Sequence, residues 1–269
     1  LVITNVYSQE KLTEENLARF QAALDRDCEM LGNDMYSSIA IPMAIADSRH
    51  YEHIENLNQG VLDEKYHSLL QYIKRALLNQ VYLEAKNDYS LLYLSGCNSI
   101  VTHGRLYPDA AVCFARDMHF SLTDEETVMA HLRTPNSITL LPVQEIEIPD
   151  KANDSYLPLI IRPFASKISI MTLYTDEAVL EALGVASLPE DTCLQLSLNS
   201  GEVLWQYPHA VTEKMADRYY RLTGVIPNLN ATVDVWIPAQ YLTDIIQPAQ
   251  IIGILVVMLM VNYVLTLMV

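Results

Sequence analysis

Six side chains have the types that could fix a polar small molecule: Tyr93, Arg105, Tyr107, Arg116, Asp117 and Arg162. An arginine at the mouth of a β-sheet pocket presents a planar fork that can hold a carboxylate or phosphate through two parallel hydrogen bonds. The competing reading of Arg116 and Arg162 is a surface or inter-strand ion pair. Trp205 and Trp236, with Tyr207, Tyr219 and Tyr220, offer either an aromatic wall or ordinary core and interface packing.

Other chemistry finds little footing. Of seven histidines, only His50 and His53 share a spacing that would place two imidazoles on one helical face. Zinc sites normally need three or four protein ligands, so no metal is expected. The chain has eight glycines and no G-x-S-x-G elbow, P-loop or G-x-G-x-x-G stretch, which leaves nucleotides without a cradle and a hydrolase without a nucleophile turn. No catalytic residue and no cofactor are assigned, and the chain is not expected to be an enzyme. Cys28, Cys97, Cys113 and Cys193 form no C-x-x-C pair. Cys97 and Cys113 fall on stretches read as neighbouring strands, where both free buried thiols and a disulfide are compatible with the sequence. With 17 Lys+Arg against 33 Asp+Glu the formal net charge is -16, and no basic cluster is present to neutralise phosphates, so nucleic acid is excluded as a partner of these residues.

The elements that must position these residues begin with a long helix. From Thr13 to Ala40, Leu17, Phe20, Leu24, Cys28, Leu31, Met35 and Ile39 recur every three or four positions with charges opposite, until Pro42 bends or ends the run. A second helical stretch carries Tyr66, Leu70, Ile73, Leu77 and Val81 on one face. From Ser90 the period shortens. SLLYLSG, SIVTHG, AAVCFA, SITLLPV, LPLIIRPF and KISIMTLY read as strands separated by turn signals. A helix from Asp176 to Leu183 closes on Gly184. A second strand set follows: Cys193 to Leu198, the turn Asn199-Ser200-Gly201, Val203 to Tyr207, a short helix around Thr212 to Asp217, Tyr219 to Ile226, and Ala231 to Ile237. Val233, Val235 and Ile237 alternate with Thr232, Asp234 and Trp236, the pattern of a half-buried strand. Pro238 ends it, and Ala239 onward is expected to run as a helix.

Ile245 to Val269 contains no charged residue. A bilayer core of about 30 Å takes roughly 20 apolar residues in a helix, so this tail is read as a transmembrane span. Leu1 to Ile3 are read as the end of an upstream span, which would put residues 4–244 on one side of the membrane.

This order of elements is similar to the double Cache sensor domains of bacterial receptors. YLSGCNSIVTHG resembles the first strand pair of the distal module, ISIMTLYTDEAVLEAL its last strand and connecting helix, and YYRLTGVIPNLNATVDVWIP the closing hairpin of the proximal module. Among such receptors the chain resembles the membrane-bound AraC-type transcriptional regulators. The Tyr, Arg, Trp and Asp set of amino-acid-binding Cache members does not appear here with its usual spacing. The resemblance implies an α+β fold with a long N-terminal helix (1–48), a distal PAS-like antiparallel-sheet module (49–183), a proximal one (184–240) and a transmembrane helix (241–269). It also implies an extracellular ligand-sensing domain that forms a homodimer, is held by its C-terminal helix, and answers a small molecule or peptide by controlling a cytoplasmic DNA-binding domain outside this chain. Two alternatives stand beside it: a histidine kinase, diguanylate cyclase or chemotaxis output on the same sensor, and a tail-anchored structural or interaction protein with no small ligand.

Overall fold

A computed structural model describes residues 2–46, 71–75, 89–102, 104–148, 154–164, 166–208 and 218–243. Helix α1 (Val2–Ser37) has 36 residues, which at 1.5 Å per residue gives about 54 Å of rod. Its stripe is the one its spacing predicts: Leu24, Cys28, Leu31 and Met35 are buried, with Leu17 and Phe20 packed beside them. The helix stops at Ser37 rather than at Pro42. Ser38 closes the end, its hydroxyl donating to the Met35 carbonyl at 2.8 Å and meeting the Tyr174 hydroxyl at 3.2 Å. The chain then turns into α2 (Ala40–Ala46). Pro42 lies in the first turn of α2, where its missing N–H has no helical acceptor to lose, so it is carried inside a helix instead of ending one.

The large sheet is antiparallel throughout, in the order β3-β2-β1-β8-β7-β6-β4, with β5 also paired to β7. Its strands are β1 (Tyr89–Leu94), β2 (Ser99–Thr102), β3 (Leu106–Tyr107), β4 (His119–Phe120), β5 (Ser137–Leu140), β6 (Gln144–Glu147), β7 (Asp154–Arg162) and β8 (Ile168–Thr175). Every residue of β1 is buried, because both faces of the sheet are covered. Pro158 is tolerated inside β7 because it falls where that strand changes partner, from β6 at Tyr156 to β5 at Leu159.

AAVCFA is a helix, not a strand: α3 (Ala110–Arg116). Its start is fixed by Asp109, whose side chain accepts from the Ala111 N–H at 3.1 Å. Ala110, Cys113 and Phe114 are buried at helical spacing, and a short apolar run does not by itself separate the two periods. The sequence reading also passed over α4 (Glu125–Arg133). Asp124 caps it through the Thr127 N–H at 2.8 Å, with Glu125 and Glu126 in the first turn and Arg133 in the last, charges that suit the helix dipole.

Helix α5 (Asp176–Ala182) leads through Gly184 (φ 62°) to a single 3-10 turn, Val185–Ser187. The small sheet has the order β10-β9-β12-β11, built from β9 (Cys193–Leu198), β10 (Val203–Tyr207), β11 (Tyr219–Ile226) and β12 (Ala231–Pro238). It ends in α6 (Ala239–Thr243), with no residues between strand and helix.

Two apolar clusters organise these layers. One joins α1 to the inner face of both sheets, running from Leu24 and Leu31 through Leu92, Ile161 and Ile170 to Leu196, Val233 and Val235. The other fills the opposite face of the large sheet, where Tyr93, Ile160 and Met171 pack under Phe114 of α3 and Leu132 of α4. α1 is therefore bonded into the core of the small sheet and not merely adjacent to it.

Among the described residues no helix is long and apolar enough to cross a membrane. The span expected at Ile245–Val269 lies outside the described residues, as do His50 and His53, most of the Tyr66–Val81 stretch (residues 71–75 are helical) and the helix expected at Thr212–Asp217.

Candidate functional site

Four of the six residues singled out from the sequence meet at one corner of the large sheet. Tyr107, on edge strand β3, donates its hydroxyl to Asp117 Oδ2 at 2.7 Å, and Arg105 Nη1 reaches the same oxygen at 2.9 Å. Arg116 Nε stands 3.8 Å from Oδ1. Asp117 is held there because it is the C-cap of α3, with its own N–H on the Cys113 carbonyl. The Tyr107 hydroxyl bond, then Arg105, hold this carboxyl below the usual carboxylate range. Burial is the first cause that raises the Tyr107 phenol. Asp117 thus satisfies the donors around it, leaving Arg116, three-quarters exposed, as the outward-facing cation.

The other two residues sit together at the far end of α4, joined by a residue the sequence reading missed. Arg133 directs Nε to the Tyr93 hydroxyl at 3.3 Å and Nη2 to Asn98 Oδ1 at 3.2 Å. Tyr93 donates to the same Asn98 oxygen at 3.1 Å, and the Asn98 amide reaches Asp109 at 2.9 Å. Arg162 is occupied with main chain. Its Nε donates to the Ser166 carbonyl at 2.9 Å, its Nη1 to the Arg133 carbonyl, and its Nη2 reaches Ser95 Oγ at 3.3 Å. A guanidinium placed on the last carbonyls of a helix closes that helix, so Arg162 ties α4 to the sheet rather than facing an anion.

The aromatic residues of the small sheet do not form one wall. Trp205 belongs to the main core and stacks on Tyr207 at 5.8 Å, whereas Trp236 lies under the Arg221 guanidinium, 5.5 Å from its ring centroid. Arg221 grips Asp234 with both arms, at 2.9 and 2.7 Å, and Thr223 adds a third bond at 2.6 Å. Asp234 is buried, although the alternation of β12 places it on the face away from the core.

A cavity of about 360 Å³ opens between α1 and the small sheet. Asn16, Arg19, Phe20, Leu24 and Asp27 of α1 form one wall. Leu183, Ser187 and Leu188 of the α5 to β9 connection form a second, and Leu222, Val235 and Ile237 make the floor. Nothing in the sequence pattern separates Asn16 and Arg19 from other polar residues on the solvent side of α1. Their shared role follows only from the way the α5 to β9 connection folds over them.

The fold has solved counterparts. The periplasmic sensory domain of the Campylobacter jejuni chemoreceptor Tlp1 superposes with a TM-score of 0.58 at 9% identity, over 88% of this chain and 99% of that one. The sensory domain of the Campylobacter jejuni chemoreceptor Tlp3 (CcmL) gives 0.51 at 11% identity, over 88% and 99%. The extracellular domain of a protein described as a histidine kinase, vpHK1S-Z8, gives 0.50 at 9% identity, over 88% and 95%. At these identities the likeness is one of fold: a long N-terminal helix carrying a mixed helix and antiparallel-sheet sensory-domain architecture. No family model matches the chain, and no curated protein matches it in sequence.

Proposed function

We propose that this chain is the extracellular ligand-sensing part of a membrane receptor, without catalytic activity of its own, and that it works as a homodimer held by its C-terminal apolar run. The observation that carries the reading is the architecture. A helix of 36 residues enters, the small sheet packs on its apolar stripe, the same core continues to the inner face of the large sheet, and the last strand passes into α6 with no linker. Binding that favours one packing of these layers over another shifts the populations of the two arrangements. Because α1 and β12 belong to one core, such a shift reaches both ends of the domain. The solved structures that share the fold are sensory or extracellular domains of receptors, which supports the same reading.

The output favoured by the resemblance of the short segments is a cytoplasmic AraC-type DNA-binding domain. The competing output is a chemoreceptor or histidine kinase module, favoured by the proteins to which those solved domains belong. Assaying the whole protein in cells for ligand-dependent transcription against kinase or chemotaxis signalling distinguishes them.

The sensing reading is tested by a thermal-shift screen of the full chain in lipid nanodiscs against metabolites and short peptides. A ligand present at a hundred times its Kd stabilises the folded state by about 2.7 kcal/mol. The expected result is a saturable shift for at least one compound class; a folded chain that no compound stabilises overturns the sensor in favour of a structural or interaction role.

A further inference from the structure

We infer that the cavity between α1 and the small sheet is a binding site for a small amphipathic carboxylate, a proposal that rests on the sensing reading and gives it a location. At about 360 Å³ it falls at the small end of ligand pockets, which run to roughly 1,000 Å³. Phe20 and Leu24 on the helix, Leu188 on the connection, and Leu222, Val235 and Ile237 below make its interior apolar. An aliphatic or aromatic body fits such walls; a sugar or a nucleotide would bury hydroxyls without partners.

The polar groups at the rim set the orientation. Asn16 and Arg19 are one turn apart on the same helical face, and among the described residues neither side chain makes a hydrogen bond or ion pair. They are open donors in a chain whose formal charge is -16. At the other end Asp27 is already engaged by Arg26, at 3.1 and 3.0 Å, and the Ser187 hydroxyl donates to the Gly184 carbonyl at 2.7 Å. The vacant donors therefore lie at the Arg19 end and the carboxylate at the Asp27 end. An anion is drawn to the first and repelled by the second, so the ligand carries its charge at one end, on the Arg19 guanidinium, with its apolar body pointing toward Leu183 and Leu188. Arg19 and Asp27 are about 12 Å apart along the helix axis, so the body is short.

The position of the site matters for signalling. Its walls come from the first helix and from the last strand, since Val235 and Ile237 lie just before Pro238 and α6. An occupant touches both ends of the domain at once and tightens α1 against β12, without relaying a change through the large sheet.

The test is calorimetric titration of the full chain in lipid nanodiscs with isovalerate, hexanoate and phenylacetate, and with hexylamine and 1-hexanol as the cationic and uncharged controls. Saturable binding of at least one acid is expected, with the amine and alcohol weaker. Arg19→Gln, at an exposed position, should weaken the acid about tenfold or more. Ala23 also lines the cavity on the helix side, and Ala23→Phe, which fills it from there, should abolish binding, with circular dichroism confirming the fold of each variant. Loss of binding in Arg133→Ala together with normal binding in Arg19→Gln places the acid on the large sheet and overturns this site while leaving the sensor intact. Binding of none of the three acids also overturns it, and the library screen then decides separately whether the sensing reading survives. A change in sedimentation mass on Ala23→Phe, without acid binding in the parent chain, assigns the cavity to a second copy of the chain and overturns the proposal as well.

Discussion

Gly224 of β11 lies so close beneath α1 that a Cβ built on it would meet Cys28 Sγ at 2.6 Å and Leu24 Cγ at 2.9 Å. Carbon and sulfur do not approach to that distance, so any larger residue at 224 must push the helix off the sheet. Gly224→Ala is expected to destabilise the fold by about 1–3 kcal/mol, the usual range for overpacking a core. The double variant Gly224→Ala with Cys28→Ala removes the sulfur and should recover part of that loss, an interaction energy readable from a urea-denaturation cycle. A neutral Gly224→Ala, or strictly additive effects, would mean that α1 does not rest on β11 in this way.

The Arg221–Asp234 pair makes a second, asymmetric prediction. The Asp234 side chain is 5% exposed and that of Arg221 61%, so the two partners are not equivalent. Arg221→Ala strands a buried carboxylate with only Thr223 to answer it and should cost about 3 kcal/mol. Asp234→Asn keeps a hydrogen-bonding side chain of the same shape and should cost nearer 1 kcal/mol. Adding Asp234→Asn to Arg221→Ala should therefore restore stability rather than lower it further. Equal single-variant effects in chemical denaturation would show that the carboxylate is hydrated and the burial argument wrong.

The strands of the small sheet were legible because their faces differ. Leu194 and Leu196 in β9, and Val233, Val235 and Ile237 in β12, are buried two residues apart, although Ser197 and Asp234 on the other face are buried as well. The same rule misled at Asp234, since alternation predicts an outward residue but says nothing of an Arg221 and Thr223 that fold over it. AAVCFA failed for a related reason: six small or apolar residues fit either period, and the deciding signal was the Asp109 cap outside the run. Within the candidate sites, Arg105, Tyr107 and Asp117 lie close enough in sequence for their meeting to be anticipated. Arg133 lies 40 residues from the Tyr93 hydroxyl it reaches. Pairings at that range are fixed by sheet order, and a short pattern carries no information about sheet order.

The four thiols give a chemical prediction. All are free and buried; Cys97 and Cys113 belong to the clusters on opposite faces of the large sheet. Burial, reinforced by Asp25 and Asp27, pushes the Cys28 thiol up to about 12, and burial with Asp117 does the same to Cys113. The thiolate is the reactive form, so neither should be alkylated by iodoacetamide at pH 8 in the folded chain. Full labelling is expected only in denaturant, without prior reduction. Mass spectrometry counts the adducts, and a Cys97–Cys113 disulfide would leave two sulfurs unlabelled until a reductant is added.

Asp176 supplies the pH dependence. It opens α5, its Oδ1 is buried without a hydrogen-bond partner, and burial is the main cause that raises its carboxyl above the ordinary value, with Asp154 adding to the rise and Trp205 opposing it. A carboxyl with a raised folded-state value binds its proton more tightly in the folded chain than in the unfolded one. In the window between the ordinary carboxylate value and the raised one, the folded state carries more protons, so this residue's contribution to stability falls as pH rises and is constant above the window. Asp176→Asn removes the ionisation while keeping an acceptor for the Trp205 indole. The variant should melt at a higher temperature than the parent at pH 7, and the difference should shrink below the ordinary carboxylate range, where the parent is protonated in both states. Calorimetric melting at pH 7 and pH 2.5 checks it. A parent that is more stable than Asp176→Asn at pH 7 would place the carboxylate in a favourable interaction, such as with the α5 N-terminus, that outweighs its burial.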